Sequence, residues 1–186
     1  MTRYAMVMDT RRCIGCSSCT IACRTWNELP IDVIYNPVVS AGCEGTWPNV
    51  HLTFNPMICM HCAKPACVPS CPTGASRQDD DGIVWVKYEH CMDCKVCANA
   101  CPYGARDYNE EEGFMRKCTF CKDRVREGEQ PHCVKTCHQK ARIFGDLDDP
   151  DSEVSKLVNS LRTERLQEDL GTDPQVYYIR DLGGRA

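Results

Sequence analysis

Cys91, Cys94, Cys97 and Cys101 stand in a Cys-x2-Cys-x2-Cys-x3-Cys run closed by Pro102. Thiolates at that spacing do iron–sulfur chemistry. Three sulfurs two residues apart wrap one 4Fe–4S cubane, because a tight loop turns each toward a common centre. The fourth comes after a helical turn has begun and is carried off to serve a neighbouring cluster. Three more quartets repeat the theme: Cys13, Cys16, Cys19 and Cys23; Cys59, Cys62, Cys67 and Cys71; Cys118, Cys121, Cys133 and Cys137. The second run has four residues, Ala63 to Ala66, between its second and third cysteines, and the fourth run has eleven. Arg24 and His138 stand where the other two runs have proline. These departures lengthen loops without removing a sulfur.

Composition narrows the alternatives. The 186 residues suffice for one ordinary domain or two small ones. Seventeen cysteines could staple a small secreted fold. The start Met-Thr-Arg-Tyr-Ala-Met-Val-Met-Asp lacks the apolar core of a signal peptide, however, and disulfide pairing does not require four groups of four. Zinc is the stronger rival, since Cys-x2-Cys pairs can hold it. A third cysteine at x2 and a fourth at x3 exceed what one zinc needs. Cys43 matches no quartet and reads as an ordinary free thiol. No stretch is long and apolar enough to span a membrane. The net charge of −4 divides into +1 over residues 1–145 and −5 over 146–186, so no basic patch for nucleic acid is evident.

Around these loops the pattern predicts short elements. Tyr4 to Asp9 alternates as a strand, and a helix runs from about Ser17 to about Asn27, stopped by Leu29-Pro30. Strands are expected over 32–39 and 51–54, joined by a loop through Ala41 to Gly45. Hairpins are expected at 75–78 with 83–86, and at 106–108 with 114–117. Arg142 to Gly145 reads as a strand. Asp148 to Asp151 reads as a helix start, with Val154, Leu157, Val158 and Leu161 at helical spacing behind it. After a turn at Gly171 to Pro174, Val176 to Arg180 forms a final strand or extended arm, and Gly183-Gly184 begins a mobile end.

A two-cluster ferredoxin has two cysteine runs, each giving three ligands to its own cluster and one to the other. Four runs therefore predict two modules and four 4Fe–4S clusters, with iron held through sixteen cysteines. The second and third runs, joined by a hairpin, form one module; the first and fourth pair across the chain. Cluster one takes Cys13, Cys16, Cys19 and Cys137, and cluster two Cys59, Cys62, Cys67 and Cys101. Cluster three takes Cys91, Cys94, Cys97 and Cys71, and cluster four Cys118, Cys121, Cys133 and Cys23. The expected architecture is α+β: two interlocked bacterial ferredoxin-like modules with short β-hairpins and helices, plus a C-terminal helix and extended arm. Residues 1–30 and 114–147 make the outer module, 31–55 an insertion, 56–113 the inner module, and 148–186 the acidic helix and tail. Arg11, Arg12, Arg24, Lys64, Lys95, Lys117 and Lys122 stand beside ligands and would favour a reduced cluster if aimed at one. His61 and His138 could donate to cluster sulfur or simply pack or face solvent.

No nucleophile–base set and no phosphate-binding glycine loop is present, so the chain is expected to carry electrons rather than catalyse. It resembles the four-cluster electron-transfer beta subunit of the dimethyl sulfoxide reductase superfamily of molybdopterin oxidoreductases. The resemblance rests on Cys-x-His-Cys at 59–62, Cys-Pro-Thr-Gly-Ala at 71–75, Cys-Pro-Tyr-Gly at 101–104 and Lys-Cys-Thr-Phe-Cys at 117–121. Phe-Gly-Asp-Leu-Asp-Asp-Pro at 144–150 and the tail from Gly171 extend it over nearly the whole chain. Some relatives replace one third-run cysteine and hold a 3Fe–4S cluster; Cys94 is present here, which implies four cubanes. The resemblance implies a large catalytic partner carrying bis-pterin molybdenum or tungsten, nearest cluster one, and in many cases a quinol-oxidising membrane subunit. It implies a cytoplasmic place, or export in the folded state with a signal-bearing partner. A carrier subunit of a formate dehydrogenase or hydrogenase complex would share the motifs, and a zinc-bound interaction module is the rival of another class.

Overall fold

The computed structural model describes residues 2–160 and 163–180. It is α+β, built on small sheets and short helices. Strand β1 (Tyr4–Asp9) lies at the centre of a three-stranded sheet, antiparallel to β8 (Arg142–Asp146) and parallel to β9 (Val176–Ile179). The stretch expected as a final strand or arm is thus a strand, beside the first one. The unbroken apolar run Ala5 to Met8 of β1 explains its place. Ala5 and Val7 share one face with Ile143, Tyr177 and Ile179, and this face is covered by Val154, Leu157 and Val158 of helix α5 (Glu153–Ser160). Met6 and Met8 share the other with Phe144, Val176 and Tyr178, and there the core continues through Ile58, Met60, Ile83 and Phe120 into the cysteine loops. A strand buried on both faces has no polar side to offer.

Helix α1 (Ser18–Asn27) follows the first cysteine loop, with Ser17 in the left-handed region at its start. Its end comes at Glu28, also left-handed, where the Glu28 and Leu29 N–H groups both bond to the Arg24 carbonyl. Hairpin β4 (Ser76–Gln78) with β5 (Val84–Val86) leads to the third cysteine run. Helix α2 (Val96–Asn99) lies within that run, and hairpin β6 (Asp107–Asn109) with β7 (Phe114–Arg116) leads on to the fourth. Helices α3 (Lys122–Arg126) and α4 (His132–Lys135) fill the eleven-residue gap of that last run and its end.

Two expectations are corrected. β2 (Val38–Thr46) and β3 (Asn49–Pro56) form one long hairpin that turns at Trp47-Pro48, so Ala41 to Gly45 is strand rather than loop, and residues 32–37 are not. The glycines misled: a register shift between Ser40 and Cys43 absorbs Gly42 inside the ladder. Helix α5 starts at Glu153 rather than in the acidic run. Asp149 accepts the Asp151 N–H at 2.9 Å, and Ser152 Oγ accepts the Ser155 N–H at 3.0 Å, so the acids make a turn and Ser152 is the cap. Leu161 and the Gly183-Gly184 end lie outside the described residues.

Candidate iron–sulfur centres

Cys19 and Cys23 sit four apart on one face of α1, both buried. Four residues of helix rise about 6 Å, enough to present the two sulfurs to different places. Cys19 lines a cavity with Cys13, Cys16 and Cys137. Cys23 stands instead within electrostatic reach of Cys121 and Cys133, and Cys118 within reach of Cys23 and Cys133. A further cavity is lined by Cys59, Cys62, Cys67 and Cys101, and another by Cys71, Cys91, Cys94 and Cys97. Sixteen cysteines therefore fall into four gatherings. In each, one sulfur comes from a run other than the one that supplies three. Neighbouring gatherings approach through Cys19 and Cys133, Cys118 and Cys59, and Cys67 and Cys97. Cys43 stands apart, exposed on β2 opposite Leu52.

The donor chemistry is that of thiols around voids. All seventeen cysteines are free of disulfides. Among the described residues no three His, Cys, Asp or Glu gather closely enough for a single metal ion. Burial, and then the neighbouring sulfurs, push the Cys23 thiol up to about 12, and burial pushes Cys133 up to about 11 against the lowering charge of Arg142. Burial likewise pushes Cys62 up to about 12 and raises Cys118. Such thiols stay neutral until a metal takes their protons. Two sulfurs at the rim behave oppositely. The Ser18 hydroxyl, 3.4 Å away, lowers Cys16. At Cys71 burial works upward, but the Ser76 N–H, donating at 3.4 Å, and the Thr73 hydroxyl bring the thiol down.

The cations flagged by sequence adjacency mostly have other engagements. Arg11 binds Asp9 at 2.8 and 2.7 Å, Arg24 donates to the Ile31 carbonyl at 2.9 Å, and Lys122 lies 3.6 Å over Trp85. Arg12 and Lys64 are exposed. Lys95 lines the Cys91 cavity but also lies 3.6 Å over Tyr108. Lys117 is fully buried and donates to the carbonyls of Val84 and Cys118. His61 is buried too. Its Nδ1 accepts the Val84 N–H at 3.1 Å, which puts the ring proton on Nε2, and its ring stacks on Phe120 at 3.7 Å. Burial, then the Lys117 charge, hold its pKa well below the ordinary histidine value. His138 is exposed at the mouth of the Cys13 cavity.

Sequence reasoning missed three groups. Thr172 lines the Cys59 cavity, because residues 172–175 run along the second cysteine loop; the Ala63 and Lys64 N–H groups donate to Asp173 and Thr172, and the Gln175 N–H to Met60. Arg106 and Arg142 are buried among sulfurs at 8% and 3% exposure. A spacing signal was there to find: each follows the last cysteine of its run, Cys101 or Cys137, by five residues.

These features fit a negatively charged iron–sulfur cage. Nε and Nη1 of Arg106 and Nη1 of Arg142 are buried with no oxygen or nitrogen partner, beside the sulfurs of Cys67 and Cys133. Cations left so among neutral thiols are costly, and thiolates would compensate them.

The class of protein follows from the comparisons. The family described as 4Fe-4S dicluster domain matches residues 50–147, and a 4Fe-4S binding domain matches residues 10–26. The chain is 40% identical to the B component of the polysulfide reductase of Wolinella succinogenes, over 98% of this chain and 96% of that one. It is 40% identical to the B component of the selenate reductase of Mesobacillus selenatarsenatis, over 95% and 72%. It is 33% identical to the arsenate respiratory reductase iron–sulfur subunit of a Shewanella strain, over 97% of each. The chain therefore belongs to this family of ferredoxin-type iron–sulfur subunits of dimethyl sulfoxide reductase-type oxidoreductases. It is an electron-transfer subunit and not the catalytic one.

Proposed function

We propose that the chain holds four 4Fe–4S clusters and passes single electrons to or from a molybdopterin-containing catalytic subunit. The observation that carries the reading is the exchange of sulfurs: each gathering takes three cysteines from one run and one from another. The ligand sets are Cys13, Cys16, Cys19 and Cys137 for cluster one, and Cys59, Cys62, Cys67 and Cys101 for cluster two. They are Cys91, Cys94, Cys97 and Cys71 for cluster three, and Cys118, Cys121, Cys133 and Cys23 for cluster four. The approaches between gatherings support the spatial order one, four, two, three. Two interlocked modules then follow: residues 1–30 with 114–147 outside, 56–113 inside, 31–55 as an insertion and 148–186 as tail.

When bound, the clusters supply one-electron carriers. The chain's own residues hold them at fixed separation and exclude water around Cys23, Cys62 and Cys133. Cluster one faces the catalytic partner in this reading, and a quinol-oxidising membrane subunit or another carrier serves the far end. Among the described residues no helix is long and apolar enough to cross a membrane. The terminal substrate is chosen in the partner's pocket.

The test is an iron and acid-labile sulfide assay on anaerobically purified chain. The expected content is about 16 of each per chain; zinc in their place ends the reading. Cys23→Ala separates swap from no swap. It should damage the cluster of Cys118, Cys121 and Cys133 and spare that of Cys13, Cys16 and Cys19, although Cys23 belongs to the latter's run. Copurification with a molybdopterin-bearing partner distinguishes this role from a hydrogenase carrier.

A further inference from the structure

We propose that Arg106 and Arg142 are a matched pair of tuning residues, one buried guanidinium set between the two clusters of each module. The inference rests on the ligand sets proposed above. Arg106 lines both the Cys59–Cys62–Cys67–Cys101 cavity and the Cys71–Cys91–Cys94–Cys97 cavity. Arg142 lines the Cys13–Cys16–Cys19–Cys137 cavity and lies close to Cys133 and Cys118 of the fourth gathering. Each arginine thus touches both gatherings of its own module.

The two sites are built alike. Each arginine is the fifth residue after the module's last cysteine, just as the chain enters a strand: β6 starts at Asp107, β8 at Arg142 itself. One arm of each is fixed by a neutral oxygen. Nη2 of Arg106 donates to Ser76 Oγ at 2.5 Å, and Nη2 of Arg142 to Asn36 Oδ1 at 3.5 Å. Ser76 is itself the fifth residue after Cys71, so the inner module's two half-repeats meet at this hydrogen bond. Of the remaining N–H groups, Nε and Nη1 of Arg106 and Nη1 of Arg142 are buried with no oxygen or nitrogen partner, and the nearest acceptors are sulfurs, Cys67 beside Arg106 and Cys133 beside Arg142. No carboxylate among the described residues forms an ion pair with either arginine. A merely structural arginine would be expected to find a carboxylate or carbonyl for those donors. Here thiolate and cage sulfur are what they face.

A fixed positive charge between two anionic cages favours the added electron on both. The guanidinium stays charged at any working pH, so its effect is constant.

The test is a redox titration of the full iron-replete chain, followed by electron paramagnetic resonance, in Arg106→Gln and Arg142→Gln. Two of the four reduction steps should fall in Arg106→Gln, and the other two in Arg142→Gln. Each fall should be at least a tenfold change in the oxidised-to-reduced ratio at fixed potential, about 59 mV for one electron. Arg106→Lys and Arg142→Lys should recover part of it. Four unmoved steps in an iron-replete variant, or four that fall equally, overturn the proposal. A variant that fails to assemble is replaced by the unaltered chain carrying guanidino-15N arginine. Its reduced clusters should then show hyperfine coupling to 15N; its absence overturns the proposal while the iron count leaves the four-cluster reading standing. An iron count far below four clusters overturns both.

Discussion

Asp107 shows how the surroundings of the cysteine loops bear on stability. Burial pushes its carboxyl up to about 6, against the Ile34 N–H, with Asp32 adding to the rise. The folded chain therefore holds this proton more tightly than the unfolded chain does, so the aspartate costs stability as pH rises from its ordinary value near 4 through 6. Asp107→Asn should raise Tm at pH 7.5 and raise it less at pH 5.5; a pH-independent gain would mean that burial of the charge is not the cause. Tyr178 is the converse case. Its buried hydroxyl donates to the Pro56 carbonyl at 3.0 Å, tying the last strand to the end of β3. Tyr178→Phe leaves that carbonyl unpaired and should cost about 1–3 kcal/mol in denaturant unfolding. Neither residue announced itself in the sequence, where each is one polar group among many.

At the scale of elements, the β2–β3 hairpin packs against the first cysteine loop. Phe54 lies so close to Gly15 that an added Cβ would fall 2.4 Å from its ring, and Gly15 has φ of +72°. Gly15→Ala combines a clash with backbone strain. The expected result is loss of about one cluster's iron from the Cys13 loop, with the other spectroscopic signals kept; full iron content would show that Phe54 swings aside freely. Most short elements were legible: β1, α1, both small hairpins and β8 follow from alternation, caps and acidic turn residues. The β2–β3 hairpin was not, because Gly42 and Gly45 read as loop residues while the ladder tolerates them through an irregularity in register. The start of α5 was misplaced because four aspartate-rich positions resemble a cap, whereas a serine hydroxyl makes the bond.

Across the whole molecule, the core is shared between an ordinary sheet and the sulfur cages. Val176–Ile179 complete the sheet beside β1, and Thr172 to Gln175 cover the second cysteine loop, so segments from early and late in the chain share one body of packing. Chelating the iron should loosen the cysteine loops whose Cys19, Cys62 and Cys133 share the core with Met6, Met8 and Phe120. The expected outcome is a cooperative loss of near-ultraviolet circular dichroism together with the clusters' absorbance; native-like retention of the signal after complete iron removal would show a self-sufficient apo core. The cysteine spacing alone pointed to iron–sulfur chemistry and to the proposed grouping of sulfurs, because a Cys-x3-Cys step over a turn of helix sets its two thiols about 6 Å apart along the axis and lets them serve different centres. Burial of β9 against β1, and the placing of two arginines between cages, were decided only by tertiary structure. Local spacing constrains sulfurs a turn apart; it carries no record of which distant charge or strand fills the low-dielectric space between them.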